Sequence, residues 1–406
     1  MRVQRVRQRL VSAAIADVSR EVRDRLDTLG PPPQGEVALT VGSRGIDNLV
    51  ELVRSAGAWL REHGAKPFVV PSMGSHNGAT AAGQREMIES LGVTESAVGM
   101  PIRASMECVK VGEVATGTVW MDRHCYEADG VLVMNRVKLH TCFSGPVQSG
   151  LTKMMVVGMG KIRSAETFHS TATPLMKDML LEMGERLVAS GKIWAGLAIL
   201  EDGYDKTAEL HAVPAGDILN REPELLVKHK SYFPTLPFEK INTLVIDEIG
   251  KTFSGTGMDP HVIGRRGVYG LEDVATPDVR TIAALGLASA SKGNAIGVGL
   301  ADFITRRLRD AIDERKTFIN VYTTGEMDRA KIPATLDDDR EVIERIEERF
   351  GPKGWVFIPN TLHLEEMWVS EDMADEVAAI DRCEIVGGPK ELTFADGRHQ
   401  LEFGGD

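Results

Sequence analysis

The strongest constraint on this chain is a rhythm: short apolar runs alternate with segments whose apolar residues recur at helical spacing. VALTV (37–41) reads as a buried strand, and Asp47 to Arg61 carries apolar residues at 49, 50, 52, 53, 56 and 60, a helical stripe. PFVV (67–70) is the next strand, Gln84 to Leu91 a helix, and GVLVM (130–134) a third strand. A helix follows at roughly 173–190, with Thr173 as N-cap, Pro174 in its first turn and Gly191 as its stop. This succession implies a parallel or mixed sheet inside an α/β domain.

A second unit is expected after the loop SYFPTLPFEK. There INTLVIDEIG is strand-like, DVRTIAALGLASA helical, and AIGVGL apolar and glycine-rich. ADFITRRLRDAIDER and DDREVIERIEERF read as amphipathic helices, and WVFIPN, ELTFA and HQLEF as short strands. Residues 4–28 read as an opening helix that ends at Gly30-Pro31-Pro32-Pro33. At 406 residues the chain is long for one hydrophobic core and comfortable for two. The expectation is two α/β domains, 1–237 and 238–406, with parallel or mixed sheets and an active-site cleft between them.

A net charge of −12 argues against a nucleic-acid surface, which needs a basic face to displace counterions. A small anion can still bind where positive groups are concentrated. Cys108, Cys125, Cys142 and Cys383 are scattered, with no C-x-x-C pair to build a zinc ribbon, an iron–sulfur site or a disulfide framework. The N-terminus lacks the apolar core of a signal peptide, and no run approaches the ~20 apolar residues of a membrane span. The expectation is a cytoplasmic enzyme.

In open parallel sheets, ligands bind beyond the carboxyl ends of the strands. VALTV runs into Gly42-Ser43-Arg44, PFVV into a loop holding His76, and GVLVM into Asn135-Arg136-Val137-Lys138-Leu139-His140. Beyond His140, Gly145 and Gly150 permit positive φ and close backbone approach to a ligand, and the backbone amides they free can cradle a phosphate. Lys153 stands at the mouth of that loop, as a phosphate contact, a covalent amine or a solvated side chain. GMG at 158–160 is read as a second glycine-rich turn. It is not a dinucleotide fingerprint, because Arg163 occupies the third glycine position and no strand-end acid follows. There is no H-E-x-x-H, P-loop or G-x-S-x-G motif.

Three features together resemble the nickel-pincer-nucleotide-dependent lactate racemases: Gly74-Ser75-His76-Asn77-Gly78 after a strand, Lys138-Leu139-His140 ahead of Phe143-Ser144-Gly145, and Lys153 sixteen residues before His169. The resemblance covers roughly residues 37–220, and the C-terminal half only in outline. It implies an N-terminal domain that carries the cofactor and a C-terminal domain that closes the cleft. Lys153 would carry a covalently bound pyridinium bis-thiocarboxylate mononucleotide holding nickel, supplied by cofactor-synthesis enzymes. His169 would complete a planar nickel site, for which an imidazole nitrogen is chemically suited. His76 and His140 would be the acid/base pair that inverts C2 of a small 2-hydroxy acid, with hydride passing to the cofactor and back. Histidine suits that work because its ordinary pKa lies near neutrality.

Substrate carboxylate is assigned to Arg44 or Lys292, and the nucleotide phosphate to Arg136 and Lys138. Asp259, His261 and Arg265, in the glycine-dense FSGTGMDPHVIGRR, are further candidates for substrate contact. Trp368 is read as a cofactor cover or, more simply, a core residue. The chain departs from the family pattern in three places: a longer His140–Lys153 interval, Thr152 where an arginine usually stands, and Gly42-Ser43-Arg44 at the first strand end. These bear on the substrate more than on the cofactor, and leave a larger or more polar 2-hydroxy acid as open as lactate. Two other readings use the same residues: His76, His140 and His169 as a three-histidine zinc site for hydrolysis, or a homologue that binds the nickel nucleotide without turnover.

Overall fold

A computed structural model describes residues 1–404. The chain divides into two compact units, Val11–Phe233 and Met1–Leu10 together with the chain from Pro234 onward. The first ten residues thus belong with the C-terminal part. They form strand β1 (Arg2–Gln8), not the start of an opening helix, which is confined to Val18–Leu26. The three-residue spacing of Val3 and Val6 imitates a helical stripe. It is accommodated by a β-bulge between Val3 and Arg5.

The unit Val11–Phe233 is built on β2 (Gly35–Val41), β3 (Ala65–Pro71), β6 (Gly130–Arg136), β7 (Ile193–Glu201) and β8 (Thr207–Pro214), with a hairpin of β4 (Cys108–Val114) and β5 (Gly117–Asp122) beside it. The main sheet runs β3-β2-β6-β7-β8, with only β8 antiparallel. Buried runs such as Val37–Val41 and Val131–Met134 fit strands covered on both faces. The helix Leu49–Glu62 lays Leu52, Val53, Ala56, Trp59 and Leu60 into the core shared with Val37, Leu39 and Val69. Truncating one such leucine to alanine costs roughly 2–5 kcal/mol. Because β2, β3, β6 and β7 are mutually parallel, their carboxyl ends share one edge.

The second unit holds a mixed eight-stranded sheet. Its strands are β1, β9 (Lys240–Ile249), β10 (Asp278–Leu287), β11 (Phe303–Thr305), β12 (Ala334–Leu336), β13 (Trp355–Ile358), β14 (Glu366–Ser370) and β15 (Cys383–Glu391), in the order β12-β11-β10-β9-β13-β14-β1-β15. Both units are therefore α/β. The segment DVRTIAALGLASA, expected to be helical, is largely β10. Its run from Thr281 to Gly286 is buried between β9 and β11, where pairing on both sides overrides the helical preference of Ala and Leu. Likewise ADFITRRLRDAIDER supplies β11, the short helix Arg306–Asp310 and the start of the helix Glu314–Thr324. No helix among the described residues is long and apolar enough to cross a membrane.

Candidate active site

The carboxyl edge of β2, β3 and β6 brings the expected residues of the first unit together. Ser43, just past β2, lies 2.5 Å from His76 Nδ1 through its hydroxyl, so the first two strand ends meet at His76. After β6 the chain leaves on a closed excursion. Lys138 and Ser149 exchange backbone hydrogen bonds, 2.7 Å and 3.2 Å, and pinch the segment between them into a loop. Inside it the buried Gln148 accepts from the His140 backbone N–H at 2.7 Å and donates to the Gly145 carbonyl at 3.3 Å. Gln148 thus fixes where His140 leaves the loop. The His140 ring lies against Phe143, with centroids 4.3 Å apart.

The hydrogen bonds of His140 fix its tautomer. The Cys142 backbone N–H points at Nδ1 from 3.1 Å, and an amide N–H can only donate, so Nδ1 carries the lone pair. In a neutral ring the proton is then on Nε2, which lies 2.7 Å from Lys153 Nζ. Nε2–H must donate to Lys153, and Lys153 must accept as a neutral amine. The electrostatics agree: burial pulls the Lys153 pKa down to about 8, and the charges of Lys138 and Arg44 push in the same direction against Cys142. Arg44 and Lys138 therefore stand close enough to act on Lys153. An acidic chain has gathered the charges of Arg44 and Lys138 at one strand edge, which favours an anionic ligand.

Lys153 ends a short helical turn, Leu151–Lys153, and is followed by a π-helical segment, Met154–Gly158, and the helix Lys161–Ser170 that carries His169 in its last turn. Of the expected GMG turn, Gly158 closes the π-segment, and Met159 and Gly160 form a turn before the next helix. The glycines answer to crowding: a Cβ on Gly158 would lie 2.6 Å from Met154 Sδ and 2.9 Å from the Ser72 carbonyl. π-Segments of this kind are frequent at functional sites. The His169 residue is exposed over its surface as a whole, yet its ring is shielded on one side by Phe168, with centroids 5.6 Å apart. Desolvation, and then the nearby Lys153 in its protonated form, hold its pKa below the ordinary value, so it presents a neutral nitrogen.

Gly145 and Gly150 do not adopt positive φ; Gly150 is extended at φ −177°. Close approach explains both: a Cβ would meet Lys177 Cβ at 2.8 Å from Gly145, and Glu222 Oε1 at 2.2 Å from Gly150. Glu222 was not legible as a site residue. Its buried carboxyl accepts from the Thr152 N–H and hydroxyl, each at 2.7 Å, and so caps the turn that presents Lys153. Burial raises its pKa to about 7, against the opposing pull of Thr152. Asn135, likewise unanticipated, donates to the Gly150 carbonyl at 2.8 Å and anchors the same turn to β6.

Arg136, expected at the nucleotide phosphate, is instead paired with Glu201 at the end of β7, a carboxylate only 3% exposed. In the second unit, Asp259 caps the short helix Pro260–Ile263, with Oδ1 2.9 Å from the His261 backbone N–H and 3.1 Å from its Nδ1. Arg265 is engaged by the carbonyls of Leu300, Val279 and Arg280 and by Asp302 at 2.8 Å. Local packing accounts for these contacts. Lys292 is exposed and adopts φ 49° at the end of a 3₁₀ turn. Trp368 is a core residue, 6% exposed, donating to the Glu402 carbonyl at 2.9 Å.

No protein-family profile matches the chain, and no curated protein matches it. Among solved structures, it is similar to the lactate racemase apoprotein from Thermoanaerobacterium thermosaccharolyticum at 11% identity and TM-score 0.49, covering 84% of this chain and 86% of that one. It is similar to a protein from Thermotoga maritima at 12% identity and TM-score 0.49, covering 79% and 83%. Likenesses this distant assign neither activity nor residues.

Proposed function

We propose that the edge bearing Arg44, His76, His140, Lys153 and His169 is the active site of a 2-hydroxy acid racemase or epimerase that works with a lysine-tethered nickel-pincer nucleotide. The carrying observation is the state of Lys153. A half-buried amine whose pKa burial brings down to about 8, hydrogen-bonded to His140 Nε2 and carried on a turn that Glu222 caps, is suited to a covalent bond and poorly suited to a solvated ion pair. His169 lies on the same helical stretch with a neutral imidazole, the donor a planar nickel centre accepts. These residues fit the cofactor: Lys153 would tether it and His169 would ligate its metal. When bound, the group supplies a reversible acceptor for the substrate's C2 hydrogen.

The chain's own residues do the rest. Arg44 and Lys138 hold the substrate carboxylate and the nucleotide phosphate at the cationic edge. With the Lys153 amine committed to the tether, His140 Nε2 is released to move a proton at the substrate hydroxyl. His76, held through Nδ1 by Ser43, presents its Nε2 as the second proton carrier. Two such groups are needed because inversion is reached from either enantiomer.

A three-histidine zinc site has no geometric support. His140 Nε2 is committed to Lys153, and among the described residues no three His, Cys, Asp or Glu side chains converge to hold a metal. The nickel reading requires one protein ligand and does not meet that objection.

The test is co-production with the enzymes that make the nickel cofactor. Intact mass should show an adduct, peptide mapping should place it on Lys153, and nickel should be stoichiometric with the chain. Chirality is then followed over a panel of 2-hydroxy acids extending beyond lactate. Zinc without an adduct would overturn the proposal. An adduct with no epimerisation of any acid would leave a nickel-nucleotide-binding protein.

A further inference from the structure

Below the site lies a buried charge that neither the sequence reading nor the proposed chemistry uses. Lys161 is fully buried, and its backbone adopts φ 54°, a region costly for any residue with a Cβ. Its ammonium donates to the Pro71 carbonyl, the last residue of β3, and to Gln84 Oε1 at 3.0 Å. Asp122, at the end of β5 and also fully buried, lies 3.1 Å away through Oδ2, as an ion pair out of hydrogen-bonding alignment. Asp122 Oδ1 is committed elsewhere, to the backbone N–H groups of His124 at 2.7 Å and Cys125 at 3.3 Å.

Gln84 extends the chain of contacts. It is fully buried, and its Nε2 donates to the Gly74 carbonyl at 2.7 Å. Gly74, at φ 64°, opens the loop that carries His76, and its N–H donates to the Gly158 carbonyl at 3.2 Å. One ammonium therefore ties three pieces together: the end of β3, the loop of His76, and the start of the helix whose last turn carries His169. A plain core residue at 161 would fill the space without donating to Pro71 or Gln84. A buried ion pair alone is weak evidence for stability. A strained lysine whose two hydrogen bonds both lead to the approach of a candidate acid/base residue has a more specific meaning.

The geometry points to Lys161 as a positioning residue: through Pro71 and through Gln84–Gly74 it fixes the His76 loop against the start of the helix that carries His169. The consequence for catalysis rests on the reading of His76 as a proton carrier; the mechanical statement does not. Loss of a hydrogen bond from a charged donor raises a local opening equilibrium at least about tenfold.

The experiment uses the full chain and measures hydrogen–deuterium exchange in peptides over 72–80, with the strand 193–201 as internal reference. Lys161→Met alone strands a buried Asp122 and risks unfolding, so the informative variants are the double Lys161→Met/Asp122→Asn, which removes the charges as a pair, and Gln84→Met, which leaves the ion pair intact. Both should raise exchange over 72–80 about tenfold or more while 193–201 stays unchanged. In cofactor-loaded protein, both should lower kcat with KM held, since misplacing a reacting group by about 1 Å can cost a hundredfold in rate.

Wild-type protection of 72–80 in the double variant would mean that Lys161 only neutralises Asp122, and the inference falls. Wild-type protection in Gln84→Met removes the route through Gly74 and overturns it as well. If the wild-type protein epimerises nothing, the proposed function fails, while the exchange measurement still decides the role of Lys161.

Discussion

Lys153 provides the sharpest test, because its chemistry is readable without any cofactor. With a pKa of about 8, some 20–25% of its amine is neutral at pH 7.5, against roughly 0.1% for an ordinary lysine near 10.4. That is an advantage of about two hundredfold in free amine. A less basic nitrogen is also a weaker nucleophile, and with the slope of roughly 0.4–0.5 seen for thiols, about tenfold is given back. Net reactivity should exceed that of an exposed lysine such as Lys66 by about ten- to twentyfold.

The perturbation is His140→Ala. It removes the Nε2–H that donates to the neutral amine, an interaction worth about 0.5–1.5 kcal/mol, so the midpoint should rise by roughly 0.4–1.1 pH units. Trace acetylation of the intact protein across pH 6.5–11, read peptide by peptide, gives the midpoint for every lysine at once. That midpoint does not depend on how accessible the site is, because occlusion scales the rate and leaves the titration where it was. A wild-type Lys153 midpoint above 10, or a midpoint that falls in His140→Ala, would refute the hydrogen-bond assignment and with it the neutral amine.

Further predictions concern groups around that lysine. Glu222 titrates near 7 folded and near 4.4 unfolded, so the folded chain binds the extra proton between those values. Stability should therefore fall as pH rises from about 4.4 to 7, by up to about 3 kcal/mol. Glu222→Gln should flatten that slope in chemical denaturation at pH 5 and pH 8, being more stable than wild type at pH 8; an unchanged slope would contradict the assignment. Lys153 acts oppositely in a separate window, with stability rising between pH 8 and about 10.4. Arg136→Gln leaves Glu201 buried without its cation and should cost roughly 3–5 kcal/mol, whereas a purely ligand-binding Arg136 would leave the melting temperature unchanged. In cofactor-loaded protein, His169→Ala should lose nickel by elemental analysis while keeping the Lys153 adduct, and His76→Ala should keep both and lose turnover.

The sequence exposed the elements whose pattern has one solution. Val37–Val41, Val69–Val70 and Val131–Met134 are apolar runs too short for helices, and each became a buried parallel strand. Their shared polarity is why the sequence alone assigns Arg44, His76 and His140 to one edge. Segments with two solutions were misread. Val3 and Val6 fit a helical stripe until a bulge is allowed, and the Ala- and Leu-rich β10 contradicts its own propensity because both flanking strands pair with it. Gly145 and Gly150 do not need the positive φ expected of them, for a related reason. Sequence shows that a side chain is missing, and cannot show whether backbone torsion or a neighbour such as Lys177 or Glu222 excludes it.

The candidate site residues were legible, and those that orient them in the structure were not, because an orienting residue is defined by its partner. Gln148 shows this most clearly. In sequence it is one polar residue in a loop; in the structure it is 4% exposed and bridges His140 and Gly145 inside the excursion. On the proposed function, the rigidity of this loop would bear on which acid can be accommodated. Gln148→Ala strands the His140 N–H and the Gly145 carbonyl and should cost about 1–3 kcal/mol. The pinch at Lys138 and Ser149 is made by backbone alone and should survive. The loop should therefore loosen without unfolding the domain, and the damage should concentrate in the position of the His140 ring. Two observations must then move together: the Lys153 midpoint rises toward that of His140→Ala, and turnover of the loaded enzyme falls while nickel content holds. A fall in turnover with the Lys153 midpoint unmoved would show that Gln148 acts on the substrate directly, and that the longer loop is a specificity element, not a mount for the histidine.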